Sequence, residues 1–179
     1  MKTITYISGG SRSGKSGHAL KLAHEFKGRK AYIATAQALD DEMGERIRKH
    51  REERSEAFFT IEEPLDLAGG LARIPADVEI AVIDCLTLWL SNLMHFHKEG
   101  RENFPEVGAF LQALDYPPCS LIIVSNEIGM GLVPGHELSR RFRDLAGHLN
   151  QQVAAKADRA IVVISGLPLV LKDEAKSQT

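Results

Sequence analysis

The eight residues Gly9-Gly10-Ser11-Arg12-Ser13-Gly14-Lys15-Ser16 constrain this chain more than any other stretch. They match Gly-x-x-x-x-Gly-Lys-Ser/Thr. An apolar run over 3–7 precedes them, and Ala19, Leu20, Leu22 and Ala23 follow at helical spacing. Strand, glycine-rich turn and helix are the context in which this string makes a phosphate site. Glycines let backbone N–H groups converge where a Cβ would collide, and the helix N-terminus adds unpaired N–H groups with partial positive charge. Lys15 is placed to reach the β- and γ-phosphates, and the Ser16 hydroxyl to ligate Mg²⁺. A glycine-rich turn that ends in Gly-Lys-Ser by chance is the competing reading, and both flanks weigh against it. The stretch from Gly9 to Ser16 is read as the cradle of a nucleoside triphosphate.

Beyond the loop, short apolar runs alternate with helical patterns, which predicts a mostly parallel sheet covered by helices. Strands are expected over 3–8, 31–35, 58–61, 79–84, 120–125 and 160–165, with 167–171 as a small antiparallel edge where Pro168 is tolerated. Helices are expected from the loop to about Phe26, over 40–54, from Pro64, and over 86–97, 104–114 and 137–157. The expected class is α/β, a P-loop (RecA-like) sheet. It forms one nucleotide-binding domain over 1–171, with a disordered polar tail over 172–179. A length of 179 residues suits one such domain.

Net charge of −2 and 6% aromatic residues argue against a nucleic-acid groove. Cys85 and Cys119 adjoin strands without ligand spacing, so a reduced, cytoplasmic chain is expected. Met1-Lys2 leads straight into the first strand, leaving no room for a signal peptide. The apolar stretch over 160–171 is too short to span a membrane.

Asp84 closes the apolar run over 80–83, where a P-loop protein places the carboxylate that organises Mg²⁺. It also stands where it would cap the following helix, and the two roles are compatible. On the 40–54 helix, Met43, Ile47, His50 and Arg54 share one face among Arg46, Arg48, Lys49 and Arg51. Taken alone this is an ordinary solvated helix with pairs such as Glu42–Arg46. A catalytic reading needs a reason for histidine there, and neutral imidazole attacking phosphorus beside stabilising cations supplies one.

Further stretches complete a pattern. They are Ala34-Thr35-Ala36-Gln37, Asp40-Asp41-Glu42-Met43, Arg46-Ile47-Arg48-Lys49-His50-Arg51, residues 125–134 containing Asn126-Glu127-Ile128-Gly129-Met130-Gly131, and residues 141–147 with Asn150-Gln151. With the phosphate loop, they resemble the bifunctional adenosylcobinamide kinase/adenosylcobinamide-phosphate guanylyltransferases of cobalamin biosynthesis. The likeness spans nearly the whole chain.

The resemblance implies a two-step enzyme. The corrinoid substrate adenosylcobinamide is phosphorylated on its aminopropanol hydroxyl from ATP or GTP. GMP then passes from GTP, through an enzyme histidine, to adenosylcobinamide phosphate, releasing pyrophosphate. Carried over by position, His50 is the guanylylated residue, and Lys15 acts with the loop. Thr35, Ala36, Gln37, Arg51, Glu52, Glu53, Arg54, Glu62 and Asp84 surround the nucleotide. Mg²⁺ is implied with GTP or ATP, through Ser16 and Asp84, as is a homotrimer. Two departures stand out. Lys49 occupies a place where some relatives carry a second histidine, and Asp84 one where some carry Glu.

Several features stay open at this level. Residues 126–131 suit a corrinoid-facing loop or a packing connection. Arg140-Arg141-Phe142-Arg143 reads as a charged helix face before a phosphate site. His95 and His97 read as surface residues, and His18, His136 and His148 have no metal-ligand spacing. Leu86, Leu88, Trp89, Leu90, Leu93 and Met94 exceed one helical stripe, which means deep core or an interface. Rival classes are a nucleotide-dependent switch, a nucleic-acid ATPase and a kinase without the transferase step. The first is weakened by the lack of an Asn-Lys-x-Asp string.

Overall fold

The computed structural model describes residues 2–37, 44, 45, 48, 57–97 and 103–174. Its strands are β1 (Ile4–Gly9), β2 (Arg29–Ala34), β3 (Phe58–Glu62), β4 (Val78–Asp84), β5 (Ser120–Val124), β6 (Arg159–Ile164) and β7 (Leu167–Asp173). The described helices are α1 (Lys15–His24), α2 (Leu67–Ala72), α3 (Leu86–Phe96), α4 (Pro105–Ala113) and α5 (Glu137–Lys156). All seven strands join one sheet in the order β3-β2-β4-β5-β1-β6-β7. Every pairing is parallel except β6 with β7. The expected parallel sheet with an antiparallel edge is the one observed.

Strand periodicity divides the core into two layers. Ile4, Tyr6, Ile33, Ile83, Leu121 and Ile123 face one side, where α3, α4 and α5 contribute Leu86, Trp89, Leu93, Phe110, Leu149 and Val153. Alternate residues, including Ile7, Tyr32, Val82, Ile122 and Val124, face the other side against Ala19 and Ala23 of α1. Runs such as Ile80-Ala81-Val82-Ile83 are apolar throughout because both faces are covered. The apolar wealth of α3 is explained the same way. Leu86, Trp89, Leu90 and Leu93 are within the core of the single chain, while Leu88 and Met94 pack partly buried against it. Trp89 meets Phe110 edge-on at 5.2 Å and donates its indole N–H to Leu65 O at 2.7 Å. Most of that helix's apolar residues are therefore core, while Phe96 at its end is exposed.

Three local expectations need correction. Pro64 precedes α2 and does not start it. Asp66 is the N-cap, its carboxylate accepting from Gly69 N–H. β7 continues through Asp173, and Lys172 donates to Ala155 O and Ala157 O, so the polar residues directly after 171 are ordered. His97 is no surface residue: it packs on Phe104 and hydrogen-bonds Glu106 Oε1 at 2.7 Å. The 40–54 helix lies mostly outside the described residues. Gly44, Glu45 and Arg48 are helical, with Arg48 paired to Glu45 at 2.7 Å.

Candidate nucleotide site

β1 lies between β5 and β6, and the chain leaves it to form β2 on the far side of β5 and β4. The strand order reverses here, and the crevice beyond the strand ends is where open α/β sheets bind ligands. The phosphate loop begins in that crevice. Gly9 has φ +157°, and a Cβ there would stand 2.5 Å from Val163 O and 2.6 Å from Ser13 Oγ. No larger residue fits. Gly14 has φ +93° and caps α1 without a side-chain hydrogen bond. No capping side chain therefore competes with an anion for the first N–H groups of α1.

The loop is braced from outside and within. Gly166 N–H, in the β6–β7 turn, donates to Ser13 O at 2.9 Å, and Ser13 N–H donates to Gly10 O at 3.2 Å. Lys15 is 8% exposed and its ammonium donates to Gly10 O at 3.1 Å. A phosphate arriving over the loop offers that ammonium a charged acceptor in place of a carbonyl, which is the stronger hydrogen bond. Ser11, Arg12 and Gly14 are exposed and Ser16 half-buried.

Register aligns the strand ends beside the loop. Ala34 is the partner of both Glu62 and Asp84, and Val124 is the partner of both Asp84 and Ile7. Asp84 is thus one strand from β1, at the crevice, half-buried, and its Oδ2 accepts from Tyr32 OH at 3.0 Å. Glu62 lies two strands further out, exposed on the edge strand β3. Ala36 and Gln37 are half-buried just past β2.

Thr35, expected beside the nucleotide, is held by the main chain around it. It is fully buried, its hydroxyl is committed to the main chain of Cys85, its N–H to Asp84 O, and its carbonyl to Asn92 Nδ2. It positions the ends of β2 and β4 and offers no unused polar hydrogen to a ligand. His50, Arg51, Glu52, Glu53 and Arg54 lie outside the described residues.

Helix α5 carries Arg140, whose guanidinium donates to Pro134 O and Gly135 O, and Arg143, which pairs with Asp144. These two arginines secure the loop and helix surface. Burial pushes the Cys85 thiol up to about 12 and the Cys119 thiol up to about 11, so neither is a nucleophile near neutral pH. Sequence reasoning missed a buried polar cluster, Thr87, Ser125 and Asn150, beneath Asn126. Its members come from three elements with no common spacing, so no periodicity announces it, though Ser125 and Asn150 lie in the stretches that carry the family likeness.

A glycine cradle at a switch point, a buried lysine and an adjacent strand-end carboxylate define a P-loop nucleotide-binding protein with a RecA-like sheet. Solved structures share that fold. The flagellar accessory protein FlaH of Methanocaldococcus jannaschii superposes with a TM-score of 0.55 at 14% identity, covering 99% of this chain and 81% of its own. The RadB recombinase gives 0.53 at 17%, covering 89% and 73%. Such identities speak for the fold alone. The profile of the CobU family, cobinamide kinase / cobinamide phosphate guanyltransferase, matches residues 5–171. The chain is 46% identical to the bifunctional adenosylcobalamin biosynthesis protein CobP of Pseudomonas aeruginosa, over 94% of this chain and 96% of the relative. It is 37% identical to the bifunctional adenosylcobalamin biosynthesis protein CobU of Escherichia coli, over 93% and 98%. The chain belongs to this family of kinase–guanyltransferase enzymes.

Proposed function

We propose that this enzyme phosphorylates the aminopropanol hydroxyl of adenosylcobinamide with ATP or GTP. It then transfers GMP from GTP, through covalently guanylylated His50, to adenosylcobinamide phosphate. The observation that carries this reading is the phosphate loop with Lys15 and Asp84 at one sheet edge, in a chain of this family. Lys15 and the α1 N-terminus bind the triphosphate and take up charge on the transferred phosphoryl group. Ser16 and Asp84 are oxygen donors of the kind Mg²⁺ prefers. A magnesium ion bound through nucleotide phosphates needs only one or two protein ligands, so these two residues fit it. Bound there, Mg²⁺ would neutralise charge on the phosphates. Tyr32 holds the Asp84 carboxylate in place. Ala36, Gln37, Arg51, Glu52, Glu53, Arg54 and Glu62 are assigned to the nucleotide, with Thr35 as support.

The reading takes residues 1–171 as one domain of a cytoplasmic homotrimer. Among the described residues no helix is long and apolar enough to cross a membrane. The exposed Leu167, Leu169 and Leu171 of β7 form an apolar row suited to subunit contact. The deciding experiment uses α-labelled GTP and Mg²⁺ without corrinoid. Label should stay on denatured protein at His50, be acid-labile, and be absent from His50→Asn. Label on another residue, or undiminished label in that variant, overturns the covalent mechanism.

A further inference from the structure

Just past β5, a closed circuit of hydrogen bonds grips the peptide of Asn126. Its N–H donates to Thr87 Oγ1 at 2.8 Å, and Thr87 Oγ1 lies 3.2 Å from Ser125 Oγ. Ser125 Oγ donates to Asn150 Oδ1 at 2.6 Å, and Asn150 Nδ2 donates back to Asn126 O at 3.1 Å. Because Ser125 spends its proton on Asn150, Thr87 must be the donor to Ser125. The circuit then runs in one direction with both hydroxyl protons used. Thr87, Ser125 and Asn150 are all buried, and they come from α3, the end of β5 and α5. The cost of burying three polar side chains is offset by the hydrogen bonds each of them makes, and the satisfied circuit holds the Asn126 peptide rigidly.

Where it is placed is the informative part. Ser125 N–H donates to Ile7 O and Glu127 N–H to Gly9 O, so the ladder on β1 continues past the end of β5 to the last residue of β1. Val124 is in register with Ile7 and with Asp84, which brings Asn126 opposite Gly9, on the strand between the phosphate loop and the carboxylate. Side chains alternate along a strand. Ser125 points toward α3 and α5, so Asn126 points to the α1 side, the side of the phosphate loop. Its amide oxygen is buried there with no hydrogen-bond partner. An unmet buried acceptor in a native structure calls for an explanation, and an absent ligand that donates is one.

We propose that Asn126 is a catalytic residue of phosphoryl transfer, its amide oxygen accepting a hydrogen bond from the hydroxyl of the attacking alcohol. This rests on the kinase reading above. The alcohol oxygen forms the new bond to the γ-phosphorus, the bond from phosphorus to the bridging oxygen breaks, and the nucleoside diphosphate leaves. The hydroxyl proton passes to a phosphate oxygen of the product, since a neutral amide orients that proton and cannot keep it. The amide thus sets the angle of attack, the kind of contribution for which a small misplacement costs about a hundredfold in rate.

The test compares two reactions of the full-length protein: phosphorylation of adenosylcobinamide from ATP, and labelling of the protein by α-labelled GTP without corrinoid, which uses no alcohol. Asn126→Ala should lower kcat for phosphorylation about a hundredfold. It should keep ATP affinity and protein labelling within about threefold of wild type. Asn126→Asp, which still accepts the hydrogen bond, should recover part of the lost kcat. Undiminished phosphorylation in Asn126→Ala, an equal loss of both reactions, or an Asp variant no better than Ala each overturns the assignment. A wild-type protein that phosphorylates no corrinoid overturns the kinase reading and this inference with it.

Discussion

Thr35 and Cys85 clamp the ends of β2 and β4 to each other: Thr35 Oγ1 accepts from Cys85 N–H at 2.8 Å and donates to Cys85 O at 2.9 Å. One hydroxyl thereby satisfies two buried backbone groups next to the Asp84 carboxylate. Thr35→Val keeps the shape and strands both groups. It should cost about 2–4 kcal/mol in urea unfolding, while Thr35→Ser should stay within about 1 kcal/mol of wild type. If Val were as mild as Ser, the clamp would carry no weight in holding the crevice.

Lys15→Ala removes the ammonium that lies over the loop. The ammonium donates to Gly10 O within the loop itself, so the fold should survive with an unchanged circular dichroism spectrum. Phosphoryl transfer should fall by a factor on the order of 100 to 1,000, as for loss of one preorganised charge-stabilising donor. Steady-state rates on folded variant protein decide this.

Gly9→Ala tests the close packing of the loop on β6. The added methyl would meet a backbone carbonyl, Val163 O, which cannot swing aside as a side chain can. A loss of about 1–3 kcal/mol, the usual cost of overpacking, should accompany weaker nucleotide binding. Calorimetric melting and nucleotide titration should move together. A variant that melts as wild type would mean β6 shifts freely.

The two thiols predict an alkaline weakness. Both folded values, about 12 for Cys85 and about 11 for Cys119, are raised above 9.0 by burial. The unfolded chain therefore loses these protons first. Their contribution to stability is whole below about pH 9 and is lost as pH rises toward 11–12, because the folded state binds more protons in that window. Unfolding free energy should fall between pH 8.5 and pH 10.5, less so in a Cys85→Ala/Cys119→Ala variant. A thiol reagent should modify neither cysteine at neutral pH until the chain unfolds.

Local pattern made much of this protein legible. Continuous apolar runs predicted the parallel strands, and Pro168 marked the antiparallel edge that β7 forms. The phosphate loop was readable because its glycines answer to backbone demands that show in sequence, as Gly9 and Gly14 do. Other assignments misled because one composition serves two ends. Apolar residues around α3 fit an interface as well as a core, and only the packing of Phe110 and the sheet against Trp89 distinguished them. His97 looked exposed near a helix end because its partner Glu106 sits on the next helix.

What the sequence determined by itself is therefore the mostly parallel strand-and-helix pattern, the triphosphate loop and the family. These depend on spacing within about twenty residues or on motifs carried whole. What the tertiary structure decided is which distant residues share the crevice. Register across β4, β5 and β1 sets Asn126 opposite Gly9 and Asp84 on the strand beyond, and a circuit through Thr87, Ser125 and Asn150 fixes Asn126. Hydrogen bonds between residues 24 to 39 positions apart leave no periodicity in a chain. They exist only once the sheet has brought its strand ends together.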